Sequence, residues 1–304
     1  MQVYDLAISY VWEYDEDFVD LIEQKLQSSG ISTYIIKEHN IREVTESVAR
    51  RELSFRNYLD RASDADTEFE ELGSILTRRK TQIINPYRYV KHAIDKASMH
   101  LEFITAGLLV PYSIIIPPHS EIEELYISID DLQKLGRPFI IKPCNTTGGG
   151  IGVVTGAETL KDILRERITN SEDKYLLQEK IYPGIINGRR AWFRCFWAFG
   201  QPLPCWWDDF THIYDSFSGE EKKRSVYKKL CRITKRIAEL TKLDFFSTEI
   251  VLTHDKKFIV IDYVNDQCDM RFQSKYFDGV PDKIVIQIIN NLKRMIIRNN
   301  HEDN

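Results

Sequence analysis

The strongest signal in this 304-residue chain is FIIKPCNTTGGGIGVV, residues 139–154. An apolar run ends at Lys142 and Pro143, a loop with four glycines follows, and a second apolar run closes the stretch. We interpret it as a strand, a phosphate-binding loop and another strand. Glycine lets the backbone approach a ligand closely, successive N–H groups form an anion-binding concavity, and Lys142 adds a mobile positive charge. The alternative is a glycine-rich hairpin on the surface.

The composition is that of a globular protein. With 43% hydrophobic and 29% charged residues, the chain can bury a normal core, in one large domain or in two to three packed ones. The formal net charge of −5 argues against general nucleic-acid binding, which usually requires a basic surface. The five cysteines are widely spaced without a CxxC pair, so neither a zinc site nor a disulfide framework is indicated.

The first apolar run is short and soon meets acidic residues, which is not the pattern of a signal peptide. No run approaches the ~20 apolar residues that span a bilayer. We therefore expect a cytoplasmic protein without nucleic-acid or membrane partners.

Strands alternate with helices at the start of the chain. The predicted strands are 3–12, 32–37, 54–59 and 81–84, and the helices between them are 15–29, 42–53 and 66–77. This alternation is typical of a parallel sheet covered on both faces, so we predict an α/β fold with a Rossmann-like unit over residues 1–86. The unit lacks the GxGxxG fingerprint, which argues against a bound dinucleotide.

The rest of the chain mixes helices with antiparallel strands. Apolar residues repeat at helical spacing from Val90 to a stop at Gly107. Further helices are predicted at 157–168, 220–240 and 282–298, and strands at 175–181, 191–199 and 203–206, with a hairpin of 245–252 and 257–264.

Two acids oppose each other in that hairpin. Glu249 lies on its first strand, and Asp262, Asn265 and Asp266 lie at the end of its second. Antiparallel strands can bring Glu249 and Asp262 side by side, where two carboxylates repel each other unless a cation lies between them. Oxygen ligands without His or Cys suit Mg²⁺ or Mn²⁺, and Mg²⁺ prefers to bridge carboxylates to substrate phosphates. The alternative is a pair of solvent-facing acids.

Two further stretches could complete a nucleotide site. The predicted strand 175–181 ends in polar residues before Tyr182-Pro183-Gly184, so its backbone could form a hinge that hydrogen-bonds an adenine edge. Lys96, in the helix that Gly107 closes, could be a second cation for phosphates. Taken alone, the strand 175–181 is more simply interpreted as an edge strand, and Lys96 as a solvent-exposed lysine.

Taken in order, these stretches resemble the motifs of the ATP-grasp superfamily. Asp95-Lys96 with residues 106–111 resembles its first motif, and residues 139–153 its strand, lysine, glycine loop and strand. Residues 176–181 resemble its hinge, and Glu249 with residues 261–265 its metal hairpin. The resemblance covers roughly residues 85–275.

The resemblance implies an α+β ATP-grasp fold in three parts. These are a Rossmann-like domain at 1–86, an N-terminal ATP-grasp subdomain with a glycine-rich phosphate lid at 87–178, and a C-terminal subdomain with the metal hairpin at 179–304. The two subdomains would clamp ATP between them. Dimers are common among the relatives, so a homodimer is also an expectation.

The resemblance also implies the residues that hold ATP and one or two Mg²⁺ ions. The phosphates would be contacted by Lys96 and Lys142 and covered by Thr147, Gly148, Gly149 and Gly150. Adenine would be bound by Gln178, Glu179, Lys180 and Ile181. The metal ligands would be Glu249, Asp262 and Asn265.

Three departures from the family pattern stand out. The family commonly ends its metal hairpin with Glu-x-Asn, whereas two residues separate Asp262 from Asn265, so either the loop is one residue longer or Asn265 is not a ligand. No acid stands at the ribose-binding position after Glu179. Ser247 occupies the place, two residues before Glu249, where many members carry an arginine.

The implied reaction is the formation of a C–N bond through an acyl phosphate. A small-molecule carboxylate attacks the γ-phosphate of ATP, ADP leaves, and an amine attacks the acyl phosphate. Phosphoryl transfer spreads charge over the equatorial oxygens, so an arginine should stabilise the transition state. Alternation places Arg190 and Arg194 on one face of one predicted strand. We predict Arg194 at the phosphate and Arg271 at a substrate carboxylate, with exposed salt bridges as the alternative for both.

Two other functions stay open. Some proteins with this fold phosphorylate an alcohol, including inositol phosphates, and a kinase for a polyanion could use a group of basic residues. These are Arg189, Arg190, Arg194, Arg271 and Lys275. A non-catalytic nucleotide-binding protein is the third possibility, because the ribose acid is missing and Ser247 replaces the arginine.

One aromatic cluster has no part in the family motifs. Trp206 and Trp207 are adjacent on a predicted strand, so they should face opposite sides of it, one in the core and the other lining a pocket. His212, shortly after them, is a candidate general base.

Overall fold

A computed structural model describes residues 1–145 and 152–302, with side chains up to residue 300. The N-terminal part is a parallel sheet in the order β2-β1-β3-β4. Its strands are β1 (Gln2–Tyr10), β2 (Thr33–Ile36), β3 (Leu53–Arg61) and β4 (Gln82–Ile84), joined by α1 (Glu16–Gln27), α2 (Ile41–Ala49) and α3 (Glu68–Arg78). Leu6 of β1 packs in one cluster with α1, and Ala7 packs in another with α2 and α3. The predicted parallel α/β unit is therefore confirmed.

The helix predicted from Val90 to Gly107 is two helices, α4 (Tyr87–Ala93) and α5 (Lys96–Thr105). Asp95 interrupts the run because its backbone is extended, and its side chain accepts hydrogen bonds from the N–H groups of Ala97 and Ser98. An aspartate in this geometry caps the N-terminus of a helix. Gly107 follows the end of α5 with φ of +75°, a conformation that glycine adopts without strain.

The second sheet carries the glycine-rich stretch and has the order β5-β8-β6-β7, with antiparallel neighbours. Its strands are β5 (Ser113–Ile116), β6 (Phe139–Pro143), β7 (Val154–Ala157) and β8 (Tyr175–Glu179), and one face packs against α6 (Ile129–Leu135) and α7 (Leu160–Thr169). The two strands predicted around the glycines are present. The loop residues named as phosphate ligands, 147–150, lie outside the described part of the chain.

The third sheet is antiparallel, in the order β13-β12-β11-β14-β15. Its strands are β11 (Trp192–Ala198), β12 (Gln201–Trp207), β13 (Tyr214–Ser216), β14 (Phe245–Leu252) and β15 (Phe258–Asn265). A separate short ladder joins β9 (Ile185–Ile186) and β10 (Arg189–Arg190). The prediction that Arg190 and Arg194 share one strand is therefore wrong, since the chain leaves the ladder of Arg190 before it enters β11.

The predicted helix 220–240 is likewise two helices, α8 (Gly219–Lys223) and α9 (Ser225–Thr241). The backbone of Arg224 is extended, which ends the first helix and starts the second. Leu230 and Ile237 of α9 pack against Phe193 and Phe246, so α9 covers one face of the third sheet. Arg194 and Glu249, which alternate with those aromatic residues, are thereby left on the other face.

The last helix, α10 (Asp282–Glu302), returns to the N-terminal sheet. Its apolar residues from Ile284 to Ile296 share one core with Leu6 and Ile8 of β1, with α1, and with Phe196 of β11. All six positions predicted to face inward are buried. They are Ile284, Val285, Ile288, Ile289, Leu292 and Ile296. This core joins the N-terminal sheet to the third sheet.

Candidate functional site

The third sheet aligns three charged side chains across neighbouring strands. Arg194 of β11 lies opposite Glu249 of β14, and Glu249 lies opposite Asp262 of β15. Directly opposed residues of antiparallel strands project on the same face with their Cβ atoms about 4.5–5.5 Å apart. The predicted juxtaposition of Glu249 and Asp262 is therefore confirmed.

Two irregularities in β15 flank Asp262. Ile250 pairs with Val260, Glu249 with Asp262, and Ser247 with Asn265, so β15 has one additional residue on each side of Asp262. Such β-bulges re-aim side chains and are over-represented next to active sites. The longer spacing between Asp262 and Asn265 is thus absorbed within the strand, and Asn265 reaches the same cluster.

Arg194 holds this cluster together. Its Nη1 donates to Glu249 Oε1 at 2.8 Å, and its Nε donates to Ser247 Oγ at 3.3 Å. In the amide orientation that satisfies both of its neighbours, Asn265 accepts from Arg194 Nη2 at 3.1 Å and donates to the backbone oxygen of Gln267 at 3.2 Å. Burial alone would lower the pKa of Arg194. The nearby Tyr214 and Glu249 outweigh burial, so the pKa of Arg194 is raised. The guanidinium of Arg194 therefore bonds to Ser247, the serine two residues before Glu249.

Lys142 approaches the same carboxylates from the second sheet. Its Nζ donates to the backbone oxygen of Ile261 at 3.1 Å, and the residue is only 9% exposed. Burial lowers the pKa of Lys142, while Asp262 and Glu249 oppose that shift and the nearby charge of Lys96 adds to it. Lys142 therefore lies near both acids, and Lys96 is close enough to Lys142 for their charges to interact.

Glu249 is the buried member of the acid pair. Burial raises its pKa, Arg194 opposes the shift, and Asp262 adds to it because two adjacent carboxylates repel each other. Trp192 Nε1 donates to Glu249 Oε2 at 3.1 Å, so each carboxylate oxygen already has one partner. Sequence reasoning missed Trp192, although its position two residues before Arg194 puts it on the same face of β11.

Lys96 is positioned by the start of α5. Its backbone N–H donates to the oxygen of Cys144 at 3.1 Å, just beyond the end of β6. Asp95, the cap of α5, also forms an ion pair of 2.6 Å with Lys174 Nζ. Burial would raise the pKa of Asp95. The ion pair with Lys174 and the hydrogen bonds from Ser98 outweigh burial, so the pKa of Asp95 is lowered.

The predicted hinge is the end of β8. Gln178 is buried, and its Nε2 lies 3.4 Å from the hydroxyl of Tyr263 on β15. Glu179 exchanges two hydrogen bonds with Tyr112: its carboxylate accepts from the backbone N–H of Tyr112 at 2.8 Å, and its own N–H donates back at 2.9 Å. Lys180 and Ile181 follow the strand outside any regular element.

The donor set fits a hard divalent cation. Glu249 and Asp262 supply carboxylate oxygens from neighbouring strands, and Asn265 supplies an amide oxygen, which are ligands that Mg²⁺ prefers. Asp262 forms no ion pair within the described residues. In residues 1–145 and 152–300, no group of three or more His, Cys, Asp or Glu side chains forms a candidate metal site, so the proposed set depends on the amide.

Arg271 is not brought into this cluster. Its guanidinium donates to both oxygens of Asp269 and of Asp278, at 2.7–3.2 Å. The rings of Trp12, Tyr14 and Tyr276 surround it at 5.4–6.0 Å. An arginine that two carboxylates already neutralise has little capacity for a third, so the prediction of Arg271 as a carboxylate-binding residue is not supported by this geometry.

The other basic residues named for a polyanion are also paired. Arg189 pairs with Asp215, Arg190 with Asp209, and Lys275 with Asp17, at N–O distances of 2.5–2.7 Å. Each of these three basic residues therefore already has an acidic neighbour.

Trp206 and Trp207 face opposite sides of β12, as predicted. Trp206 is 6% exposed and packs against Phe193, whereas Trp207 is half-buried with the Arg194 guanidinium 5.5 Å from its ring centroid. His212 stacks on Trp207 with ring centroids 5.2 Å apart. The site face of the third sheet therefore continues from the acids to an aromatic surface.

Comparisons with known proteins give matches of structure alone. No protein-family model matches the sequence, and no curated protein matches it. A D-alanine–D-alanine ligase from Bacillus anthracis, solved with ATP, is 13% identical, with 98% of each chain covered and a TM-score of 0.69. A RimK-domain ATP-grasp protein from Sphaerobacter thermophilus is 16% identical, with 96% of this chain and 99% of that chain covered and a TM-score of 0.64.

The ATP-grasp ligase PsnB, complexed with its minimal precursor, is 15% identical, with 98% of this chain and 99% of that chain covered and a TM-score of 0.64. The chain therefore has the ATP-grasp fold, and the α+β architecture that the motifs predicted is confirmed. Across the described residues, no helix has the length and apolar character to cross a membrane.

Proposed function

We propose that this protein is an ATP- and Mg²⁺-dependent ligase that activates a small-molecule carboxylate as an acyl phosphate for attack by an amine, with release of ADP. The observation that carries the proposal is the convergence of Lys142, Arg194, Glu249 and Asp262 on one side of the third sheet. Cations for phosphates and carboxylates for a metal ion lie together there, beside the strand that leads into the glycine-rich loop.

ATP would lie between the parts of the chain at 87–178 and 179–304. Lys96 and Lys142 would bind its phosphates under backbone N–H groups of residues 147–150. Residues 178–181 would bind the adenine. Because both the carboxylate and the backbone N–H of Glu179 already bond to Tyr112, the donor to the base would come from the residues that follow it.

Glu249, Asp262 and Asn265 would hold the metal ion. Mg²⁺ bound there would neutralise phosphate charge and orient the reacting oxygens. Arg194 would stabilise the charge that develops on the transferring phosphoryl group and on the acyl phosphate. Its contacts to Glu249, Ser247 and Asn265 fix the guanidinium before substrate arrives, so little reorganisation is needed.

A trapping experiment tests the proposal. The protein is incubated with ATP, Mg²⁺, hydroxylamine and a panel of carboxylic acids including the twenty proteinogenic amino acids, and ADP and hydroxamates are measured. Hydroxylamine is an amine that captures an acyl phosphate, so we expect acid-dependent hydroxamate in step with ADP. Glu249→Gln should abolish both products.

The alternatives give different products. Phosphate transferred to an alcohol, without hydroxamate, would establish a kinase in place of a ligase. Nucleotide binding without ADP formation under any substrate would establish a non-catalytic protein. The pairing of Arg189, Arg190, Arg271 and Lys275 with aspartates counts against a kinase for polyanions.

A further inference from the structure

A cavity of about 420 Å³ lies beside the second half of α5. Its walls are His100 and Ile104 of α5 and the segment 107–113, which leads into β5. Of the described residues that line it, none is a lysine, arginine, aspartate or glutamate, and none belongs to the nucleotide or metal sets proposed above. Cavities of this size with mostly apolar walls are typical sites for small molecules.

The backbone of the segment 107–113 adds little polarity to the walls, because several of its polar groups are already paired. The oxygen of Leu109 accepts a hydrogen bond from β15 at 2.9 Å, and the N–H and the oxygen of Tyr112 both bond to Glu179. Pro111 has no N–H, and its oxygen accepts from Ser113 Oγ at 3.1 Å. A ligand therefore meets chiefly hydrocarbon on this side.

His100 is the polar side chain at the wall formed by α5. It is 4% exposed, and its Nδ1 lies 2.6 Å from the hydroxyl of Tyr263, which Gln178 Nε2 also approaches as a donor at 3.4 Å. A tyrosine hydroxyl carries one proton, so Tyr263 accepts from Gln178 and donates to Nδ1. Burial lowers the pKa of His100, and the single proton of the neutral ring is therefore on Nε2.

This Nε2–H donor is unused. It bonds to no atom in the part of the chain that the structure describes, and it is not among the fully enclosed polar atoms that lack a partner there. Because His100 lines the cavity and Tyr263 occupies its other nitrogen, Nε2 is the ring nitrogen that stays open to the cavity. A donor on a buried side chain is favourable when an acceptor meets it.

We propose that this cavity binds a small, uncharged, largely apolar molecule with one oxygen acceptor, which receives a hydrogen bond from His100 Nε2. The apolar walls bind the body of the molecule. A charged ligand would lose its hydration without a counter-charge on the walls, which excludes carboxylates and amines as good ligands. The site is separate from the cluster around Arg194 and does not depend on the proposed ligase function.

Matched pairs of small molecules test the chemistry of the site. The full chain is titrated by ligand-observed NMR with acetophenone, propiophenone and benzophenone, each beside the hydrocarbon in which CH₂ replaces the carbonyl group. We expect at least one ketone to bind, and its hydrocarbon to bind about three- to tenfold more weakly, because it lacks the acceptor for one neutral hydrogen bond. Benzoate, the charged counterpart, should bind about tenfold or more weakly than the ketone.

Two variants locate the site. Ile104→Glu places a charge on the apolar wall and should weaken ketone binding by about tenfold or more. Ile168→Glu is the matched control and should bind normally, because Ile104 and Ile168 are exposed isoleucines, each the second-last residue of its helix. His100→Phe keeps a ring but removes the donor, so ketone and hydrocarbon should bind it about equally.

Each test can overturn the proposal. Binding of none of the three ketones, equal binding of a ketone and its hydrocarbon by the parent protein, or tighter binding of benzoate than of the ketones would do so. Because Ile104 is exposed, its variant should fold even if His100→Phe does not, and normal ketone binding by Ile104→Glu would place the ligand elsewhere and refute the site.

Discussion

Arg194 is the residue at which the ionic and aromatic parts of the site meet. One guanidinium contacts Glu249, Ser247 and Asn265 and lies over the ring of Trp207. Arginine suits this position because its planar fork provides several fixed donors and a face that stacks on aromatic rings. A lysine would keep the charge but lose most of these contacts.

We therefore expect Arg194→Lys to lower kcat by about 100-fold, within the range for loss of one donor to a transition state. ATP binding should change much less. Single-turnover measurements of ADP formation, with Arg189→Lys as the control for an exposed arginine, check this. An unchanged kcat would remove Arg194 from the proposed mechanism.

Lys142→Ala should weaken ATP binding by about tenfold or more, because hydrogen bonds to charged groups contribute roughly 1.5–3 kcal/mol. Calorimetric titration with ATP measures this, and the exposed Lys134→Ala serves as the matched control. Since Lys142 is buried, the melting temperature of each variant is recorded as well. A folded variant with unchanged affinity would contradict the phosphate role of Lys142.

Asp262→Asn should abolish turnover while it leaves nucleotide binding without Mg²⁺ nearly intact. The change keeps the shape of the side chain and removes the charge that a divalent cation needs. Asp255→Asn, at the exposed turn of the same hairpin, should keep full activity. Full activity of Asp262→Asn would disprove the metal site.

At the scale of single elements, the start of α5 positions Lys96. Asp95 satisfies the first N–H groups of the helix, pairs with Lys174, and precedes the N–H that bonds to Cys144. We expect Asp95→Ala to destabilise the fold by about 1 kcal/mol, as for loss of an N-cap, and to raise the KM for ATP. Asp95→Asn retains the capping geometry and should cost less; equal losses of stability in urea unfolding for the two variants would contradict the cap.

The elements themselves were largely predictable because their apolar periodicity is strong. The hairpin of Glu249 and Asp262 follows from two alternating runs around a polar turn, and α10 follows from its inward-facing positions. The breaks at Asp95 and Arg224 were missed because apolar periodicity continues across them, whereas one extended residue decides the break. The bulges of β15 could not be predicted from the sequence either, because the register of a strand depends on its partner strand.

The candidate site could be predicted only where a resemblance to the ATP-grasp motifs pointed to the residue. Glu249, Asp262 and Lys142 fall in such motifs, and the structure brings them together. Trp192 does not, because a tryptophan has many ordinary uses and only its contact with Glu249 reveals this one. The role predicted for Arg271 stays a prediction, and the sequence did not reveal that Asp269 and Asp278 both pair with it.

At the scale of the whole molecule, Asn85 ties the end of the N-terminal sheet to the third sheet. Its side chain accepts from the N–H groups of Asp244 and Phe245, both at 2.8 Å, and donates to the backbone oxygen of Phe245 at 2.5 Å. Asp244 itself is largely enclosed, and burial raises its pKa to about 6, while Arg298 of α10 partly opposes the shift.

A raised pKa in the folded state means that Asp244 favours folding at low pH, and this contribution is lost as the pH rises from about 4 through about 6. We therefore expect Asp244→Asn to be more stable than the parent by about 1 kcal/mol at pH 7, after allowance for solvent screening. The difference should vanish near pH 4. Urea unfolding at several pH values measures it, and a difference independent of pH would contradict the assignment.

The return of α10 to the first sheet also affects how the protein is made. About 200 residues separate β4 from the start of α10, or roughly 10–40 s of synthesis at about 5–20 residues per second. During that time β1 and α1 have already emerged from the ribosome, but α10, which completes their core, has not yet been synthesised. The emerging N-terminal unit therefore presents an apolar surface around Leu6 and Ile8 that chaperones can bind until translation reaches the last helix.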